Sequence, residues 1–238
     1  MQVIDVPASV GVAWIKLSFA LFRAQPLGWI GLTSAWLFTT FLLFFVPLIG
    51  AAVATIVQPG FFAGFVLAAR DQEAGKPVGV HLLFAAFRAN GRPLVTLGSI
   101  TLLAEIMVMV ILALLGFPRM VPAGDGGLPD VQAYVQLLDG KEWLVFLAFA
   151  LMLAIKAALW FCAAILALNP MPATHAIRWS FYALIANFLP MLVFGILMTL
   201  IFFVAALPPF IGMLVAMPIY AIAHYVTYRD LFRPSIEG

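Results

Sequence analysis

Long apolar stretches with short polar breaks dominate this chain of 238 residues. An α-helix rises about 1.5 Å per residue, so about 20 apolar residues cross the hydrocarbon core of a bilayer. Six stretches meet this requirement and predict transmembrane helices, at residues 27–48, 51–69, 93–116, 143–168, 188–206 and 209–227. The pattern therefore predicts an all-α integral membrane protein with a single membrane domain over residues 1–238.

Uncharged turns join the first two spans and the last two. Residues 46–50 (VPLIG) and 208–212 (PPFIG) contain proline and glycine, which end one helix and start the next. Both are predicted to be tight hairpin turns. The alternative is a re-entrant turn at residues 46–51, which lowers the span count without moving either terminus across the membrane.

Similar motifs recur ahead of the hairpins and predict an internal repeat. Residues 19–27 read FALFRAQPL and residues 84–94 read FAAFRANGRPL, while 177–181 (IRWSF) echo 15–19 (IKLSF). An Arg-Asp pair ends both the first and the last hairpin, at 70–71 and 229–230. These motifs predict three units, each a surface helix followed by a hairpin, over residues 8–72, 78–168 and 172–232. The first and third units are predicted to be repeated in parallel orientation.

Composition and charge support a membrane location and give it an orientation. The chain is 65% hydrophobic and only 9% charged, against about 25% charged in average soluble domains. Arg119 and Lys141, in loop 117–142, are the only basic residues on one side of the predicted spans. The basic residues of the other side predict cytoplasmic termini by the positive-inside rule: Lys16, Arg23, Arg70, Lys76, Arg88, Arg92, Arg178, Arg229 and Arg233. In the opposite loop, residues 130–138 are predicted to form two helical turns against the outer face.

The segments ahead of the hairpins are predicted to lie in the headgroup region as amphipathic helices. Ser9, Lys16 and Arg23 recur every seven residues and share one helical stripe, while Trp14 suits the membrane interface. The candidate residues for contact with lipid headgroups or the interface are Trp14, Lys16, Arg23, Arg70, Arg88, Arg92, Arg178 and Arg229.

Glu105 and Lys156 are the most unusual residues of the predicted spans. Each lies about 18–20 Å along its helix, and the two helices run in opposite directions, so both charges reach the middle of the bilayer. An unpaired ion at that depth costs about 3–15 kcal/mol. The sequence therefore predicts an ion pair between the third and fourth spans.

Three interpretations of this pair stay open. It can be a structural bridge that fixes the register of the two spans. It can form a site for a proton, an ion or a polar ligand inside the helical bundle. It can also be covered by a partner subunit. All three keep the charges away from lipid, and only the second makes a transporter.

No pattern in the chain predicts catalysis, a metal or a cofactor. The three histidines are scattered, and no HExxH, phosphate-binding or nucleophile-elbow motif appears. Cys162 is the only cysteine and is predicted to be a buried small side chain. His224 is predicted to form a hydrogen bond within the bundle, with proton transfer or ligand binding as the alternative. The weak basic excess argues against nucleic acid as a partner.

The motif around Trp14-Ile15-Lys16, followed by residues 18–23 (SFALFR), Pro26 and a hydrophobic hairpin, resembles a group of uncharacterised proteobacterial inner-membrane proteins. Members of that group resemble one another in having about six spans preceded by cytoplasmic amphipathic helices. The resemblance implies a bacterial cytoplasmic membrane. It supplies no catalytic residues.

The sequence favours a non-enzymatic membrane protein that works by contact. It would be an accessory or scaffolding subunit of a membrane complex, or an organiser of lipids, with membrane lipids as partners and other subunits or copies of itself as further candidates. The second hypothesis is a small transporter or channel whose polar site is the Glu105–Lys156 pair.

Overall fold

The structure, a computed structural model, describes residues 1–118, 135–207 and 212–233. The helices are α1 (Val10–Ala24), α2 (Pro26–Phe44), α3 (Gly50–Glu73), α4 (Ala85–Leu114), α5 (Trp143–Ala158), α6 (Cys162–Leu168), α7 (Ala173–Ala186), α8 (Phe188–Ala206) and α9 (Met213–Leu231), with a 3-10 helix at Val80–Phe84. Two short strands, β1 (Gln2–Val3) and β2 (Phe232–Arg233), pair antiparallel. The prediction of a helical protein is confirmed, and the strand pair was not predicted.

Five helical stretches of the described chain are long and apolar enough to cross a membrane: Pro26–Phe44, Gly50–Glu73, Val80–Leu114, Trp143–Leu168 and Phe188–Ala206. These stretches correspond to the first five predicted spans. In the region of the sixth, α9 is helical, but polar residues such as His224, Arg229 and Asp230 lower its hydropathy. The sixth span, and with it the span count, stays a prediction.

The turns and the outer loop are described only in part. Helix α2 ends at Phe44 and α3 begins at Gly50, so the first hairpin turn is confirmed. Leu48 adopts a φ of 68° in this turn, a conformation that side chains other than glycine seldom take. Residues 208–211 of the last turn, and 119–134 of the loop that holds most of the predicted outer helix, lie outside the described residues.

Contacts within the chain divide it into two compact parts. The main part comprises Met1–Ser99 and Ala158–Gly238, and the hairpin part comprises Ile100–Ala157. In the main part, helices α3, α6 and α9 contact one another and hold half of the buried core side chains. In the hairpin part, the described core is small and consists of Val108, Leu112 and Leu144.

Glycine allows close backbone contacts in the main part. A Cβ atom on Gly64 would lie 2.6 Å from the carbonyl oxygen of Leu83, and one on Gly98 would lie 1.9 Å from that of Ile56. Both distances are shorter than any van der Waals contact, so a side chain at either position forces the backbones apart. These two glycines therefore set how closely α3 approaches its neighbours.

The helical stretch at the end of the hairpin part is broken between α5 and α6, and Ser180 of α7 stabilises the break. Its hydroxyl donates to the carbonyl of Ala158 at 2.6 Å and accepts from the amide of Phe161 at 3.1 Å. Beside it, the Trp160 indole donates to the Thr227 hydroxyl at 3.1 Å. The two bonds of Ser180 satisfy backbone groups that the interrupted helix leaves without partners.

Candidate functional site

Glu105 and Lys156, the charges that the sequence singles out, form an ion pair in the hairpin part. The Nζ atom of Lys156 lies 2.5 Å from Oε1 of Glu105. Glu105, Val108 and Leu112 follow one another at helical spacing on α4, so the carboxylate continues the face that forms the small core. The contact exists, while its role and its depth in a membrane stay predictions.

The ion pair is accessible from outside the chain. The side chain of Lys156 is 59% exposed and that of Glu105 is 22% exposed. Apolar neighbours on the same helices are also exposed, including Met109 on α4 and Leu153 on α5. Lys156 has no ion-pair partner other than Glu105 among the described residues, and its exposed surface meets lipid, water or another molecule.

Trp14 is not a lipid-facing residue, which corrects the sequence prediction. Its side chain is 0% exposed, and its indole donates to Oδ2 of Asp230 at 3.0 Å. The indole also makes an edge contact with Phe194. The same aromatic character that suits an interface suits a core where the N–H finds an acceptor, and here Asp230 provides that acceptor.

Arg229 lies in a polar cluster that links α3 to α9. Its guanidinium forms ion pairs with Glu73 and with Asp230 of its own helix. Glu73 also accepts a hydrogen bond from the Tyr225 hydroxyl at 2.6 Å. Asp230 binds both Arg229 and Trp14. Arg229 therefore connects helices within the protein, whatever else it contacts.

The other predicted lipid-contacting residues are exposed. Arg70 pairs with its neighbour Asp71 at 2.8 Å, and the guanidinium of Arg23 lies 5.8 Å from the centre of the Phe19 ring. No carboxylate lies within ion-pair distance of the remaining four in the part of the chain that the structure describes: Lys16, Arg88, Arg92 and Arg178. These cations are free to bind anions, and their contact with lipid stays a prediction.

Three amides that the sequence analysis missed mark the junction between each lead-in segment and the span that follows. Gln25, Asn90 and Asn187 all leave helical backbone geometry, with φ and ψ of −144° and 61°, −145° and 42°, and −117° and 37°. Gln25 lies between α1 and α2, Asn90 breaks α4, and Asn187 lies between α7 and α8. Each therefore occupies the same place in its predicted unit. We call these three residues the elbow amides.

The first two elbow amides bind backbone groups of a distant segment. Gln25 accepts from the amide of Val78 at 2.8 Å and donates to the carbonyl of Lys76 at 3.2 Å. Asn90 donates to the carbonyl of Leu166 at 2.9 Å. Gln25 therefore holds the chain at the start of the second predicted unit, and Asn90 holds the end of its own unit, shortly before the third begins.

Asn187 is fully buried and makes the most contacts of the elbow amides. Its carbonyl accepts from the amide of Val6 at 3.0 Å, and its NH2 donates to the carbonyls of Ile4 at 3.0 Å and Ala183 at 3.3 Å. It thereby fixes the N-terminal segment, which lies before the first unit. A sequence signal for these amides exists: alanine precedes each one, and proline follows within three residues.

His224 lies inside the main part among aromatic side chains. Its ring stacks on Trp160 with centroids 3.8 Å apart and also contacts Phe62 and Tyr220. The Nδ1 atom lies 3.1 Å from the carbonyl oxygen of Trp160. The prediction that His224 forms a hydrogen bond within the bundle is confirmed, as is the burial of the free thiol of Cys162.

Comparison with known proteins gives one informative likeness. A protein of Burkholderia thailandensis with the name "Probable inner membrane protein" is 28% identical over 273 aligned positions, which cover 100% of this chain and 96% of the relative. That name and the five apolar helices agree on location. Together they support a helical inner-membrane protein. No family model matches the chain, and no solved structure matches it.

Proposed function

We propose that this inner-membrane protein works by contact and not by catalysis, as an accessory or scaffolding subunit of a membrane complex. The observation that carries the proposal is the exposed ion pair of the hairpin part, Glu105 with Lys156. A charged group that faces hydrocarbon is unfavourable by several kcal/mol at the bilayer centre (roughly 3 on insertion scales). A polar group on a partner subunit removes that penalty.

The small core of the hairpin part adds support. Only Val108, Leu112 and Leu144 are buried among its described apolar residues. Helices in a membrane associate through packing and polar contacts, because lipid tails are as apolar as the side chains. A two-helix element with little internal packing and an exposed charge pair is suited to binding another membrane helix.

Site-specific photo-crosslinking in the native membrane tests this contact. A photoreactive residue at Met109 or Leu153, beside the ion pair, is expected to give a discrete protein adduct. The matched control is Phe38, which is 62% exposed on α2 in the main part, and it should give lipid adducts alone. The Glu105→Leu/Lys156→Leu variant should lose the protein adduct at Leu153. Lipid adducts alone at all three positions contradict the proposal.

The second candidate function is a small transporter or channel. The observation in its favour is that two groups able to exchange a proton, the Lys156 ammonium and the Glu105 carboxylate, lie 2.5 Å apart. Reconstituted protein would then carry a proton or ion flux across the vesicle membrane. The Glu105→Gln variant would abolish that flux while the protein still folds, whereas the contact function needs no flux at all.

We further propose six spans with both termini in the cytoplasm, supported by the distribution of lysine and arginine. The test uses a Cys162→Ala background, with single cysteines at Gly126 and Ser235, both outside the described residues. In spheroplasts, a membrane-impermeant maleimide should label Gly126→Cys at once and Ser235→Cys only after permeabilisation. The opposite pattern reverses the topology, and equal labelling of both contradicts the three spans predicted between the two sites.

The elbow amides support the proposal that the three units are repeats. Gln25 of the first unit binds the start of the second at Val78, and Asn90 of the second binds Leu166 near the end of its own unit. Asn187 of the third binds the segment before the first. Each contact thus lies near the boundary of a unit, which is a pattern expected when three copies solve the same packing problem.

A further inference from the structure

An apolar groove of about 610 Å³ lies in the main part between α1, α8 and α9. Its walls include Leu197 and Leu200 of α8 and Val215 and Ile219 of α9. On the wall formed by α1, Lys16 is the one charged residue among the described side chains that line it. The groove therefore combines a long apolar surface with a single cation.

Close backbone contacts fix the helices that form this groove. A Cβ atom on Gly212 would lie 2.4 Å from the carbonyl oxygen of Ala205, so α8 and α9 nearly touch there. A Cβ atom on Gly11 would lie 2.5 Å from the carbonyl oxygen of Pro190, so α1 crosses the start of α8 equally closely. Between Leu197 and Ala205 the wall of α8 runs for about 12 Å at 1.5 Å per residue. The close packing of α8 on α9 and of α1 on α8 therefore sets the shape of the groove.

Lys16 is available for an anionic ligand. It is exposed, and no carboxylate lies within ion-pair distance of it in the described ranges, in contrast to Arg70, Lys156 and Arg229. A lysine near a membrane surface contributes about 1 kcal/mol of attraction to anionic lipids. Its flexible stem also allows the ammonium to reach a phosphate at the rim while the methylenes pack on apolar walls.

The apolar walls decide which class of ligand fits. An extended peptide in this groove would carry backbone N–H and C=O groups with no partners, which is strongly unfavourable in hydrocarbon. A soluble phosphate would use Lys16 and leave the walls without a ligand. An acyl chain carries no hydrogen-bonding group, and its headgroup phosphate meets the cation at the rim.

We propose that this groove binds a phospholipid, with an acyl chain between α8 and α9 and its headgroup phosphate on Lys16. The lipid fills the space that the two helices leave open and joins α1 to the last hairpin. This site lies on different helices from the Glu105–Lys156 pair, so it stands whether or not that pair binds a partner.

Retention of lipid by the full-length protein, purified in mild detergent and measured by native mass spectrometry, tests the headgroup contact. After exchange into phosphatidylglycerol, the Lys16→Ala variant should retain about five-fold less bound lipid than the wild type, the fold-change that the lysine contribution implies. The control is Arg23→Ala on the same helix, because Arg23 is exposed but does not line the groove. Equal retention by the two variants overturns the phosphate contact.

A matched pair of tryptophan substitutions tests the acyl-chain groove. Leu200 lines the groove and Ile196 does not, yet they are 56% and 54% exposed on the same helix. Leu200→Trp should lower the retention of phosphatidylglycerol and phosphatidylcholine alike, while Ile196→Trp should leave it unchanged. Val215→Trp fills the groove from the opposite wall and should reproduce Leu200→Trp. Unchanged retention in both filling variants, each with an unaltered thermal unfolding curve, overturns the proposal.

Discussion

The Glu105→Gln variant should have a free energy of unfolding about 3 kcal/mol below that of the wild type, because Lys156 then keeps its charge in the membrane without a counter-ion. Lys156→Met should lower it by a similar amount for the opposite reason. The pair makes a direct contact at 2.5 Å, so neither charge has a second partner among the described residues to replace the lost one.

The double variant separates the ion pair from the individual charges. Glu105→Leu/Lys156→Leu removes both ions, and well-packed apolar replacements of an ion pair are often neutral or stabilising. We therefore expect the double variant to be at least as stable as the wild type. Unfolding titrations in lipid bicelles, read as a double-mutant cycle, measure the coupling. Two single variants with wild-type stability would contradict a membrane-buried pair.

The Asn187→Ala variant should lose about 3 kcal/mol, since a buried polar group without its partner costs about 1–3 kcal/mol. The carbonyl of Ile4 and the amide of Val6 both depend on this side chain. Loss of the amide should also release the N-terminal segment, so the hydrogen-exchange protection of Val6 should fall more than that of the core helices.

Asn90→Ala is the matched control for Asn187→Ala. Asn90 makes a single hydrogen bond to the carbonyl of Leu166 and is only partly buried, so its replacement should cost about 1 kcal/mol. Thermal unfolding of the two variants measures the difference. An equal loss of stability in both variants would show that the N-terminal contacts of Asn187 contribute nothing.

Hydrophobic length alone predicts five helices of the structure, and the reason is physical. About 20 apolar residues in a row have few stable alternatives to a helix when lipid is the solvent. The contact between Glu105 and Lys156 is equally accessible to prediction, because helix geometry brings both to one depth and an unpaired charge there is unfavourable. These features follow from the local sequence and from the apolar character of the lipid that surrounds it.

Tertiary contacts account for what the sequence analysis missed. Trp14 resembles an interface residue until Asp230, more than 200 residues away, is seen to accept its N–H. The elbow amides look like ordinary polar residues near proline, and only their distant backbone partners give them a role. The pairing of β1 with β2 joins opposite ends of the chain and leaves no local signal.

The contacts of the N-terminal segment also constrain the order in which the protein is completed. Ile4 and Val6 leave the ribosome before their partners, Asn187 and Leu231, are synthesised. A chain truncated before Asn187 displays an extended segment whose amide and carbonyl groups have nothing to bind. Burial of this segment thus requires that translation has passed Asn187, and its exposure marks a chain in which these contacts have not yet formed.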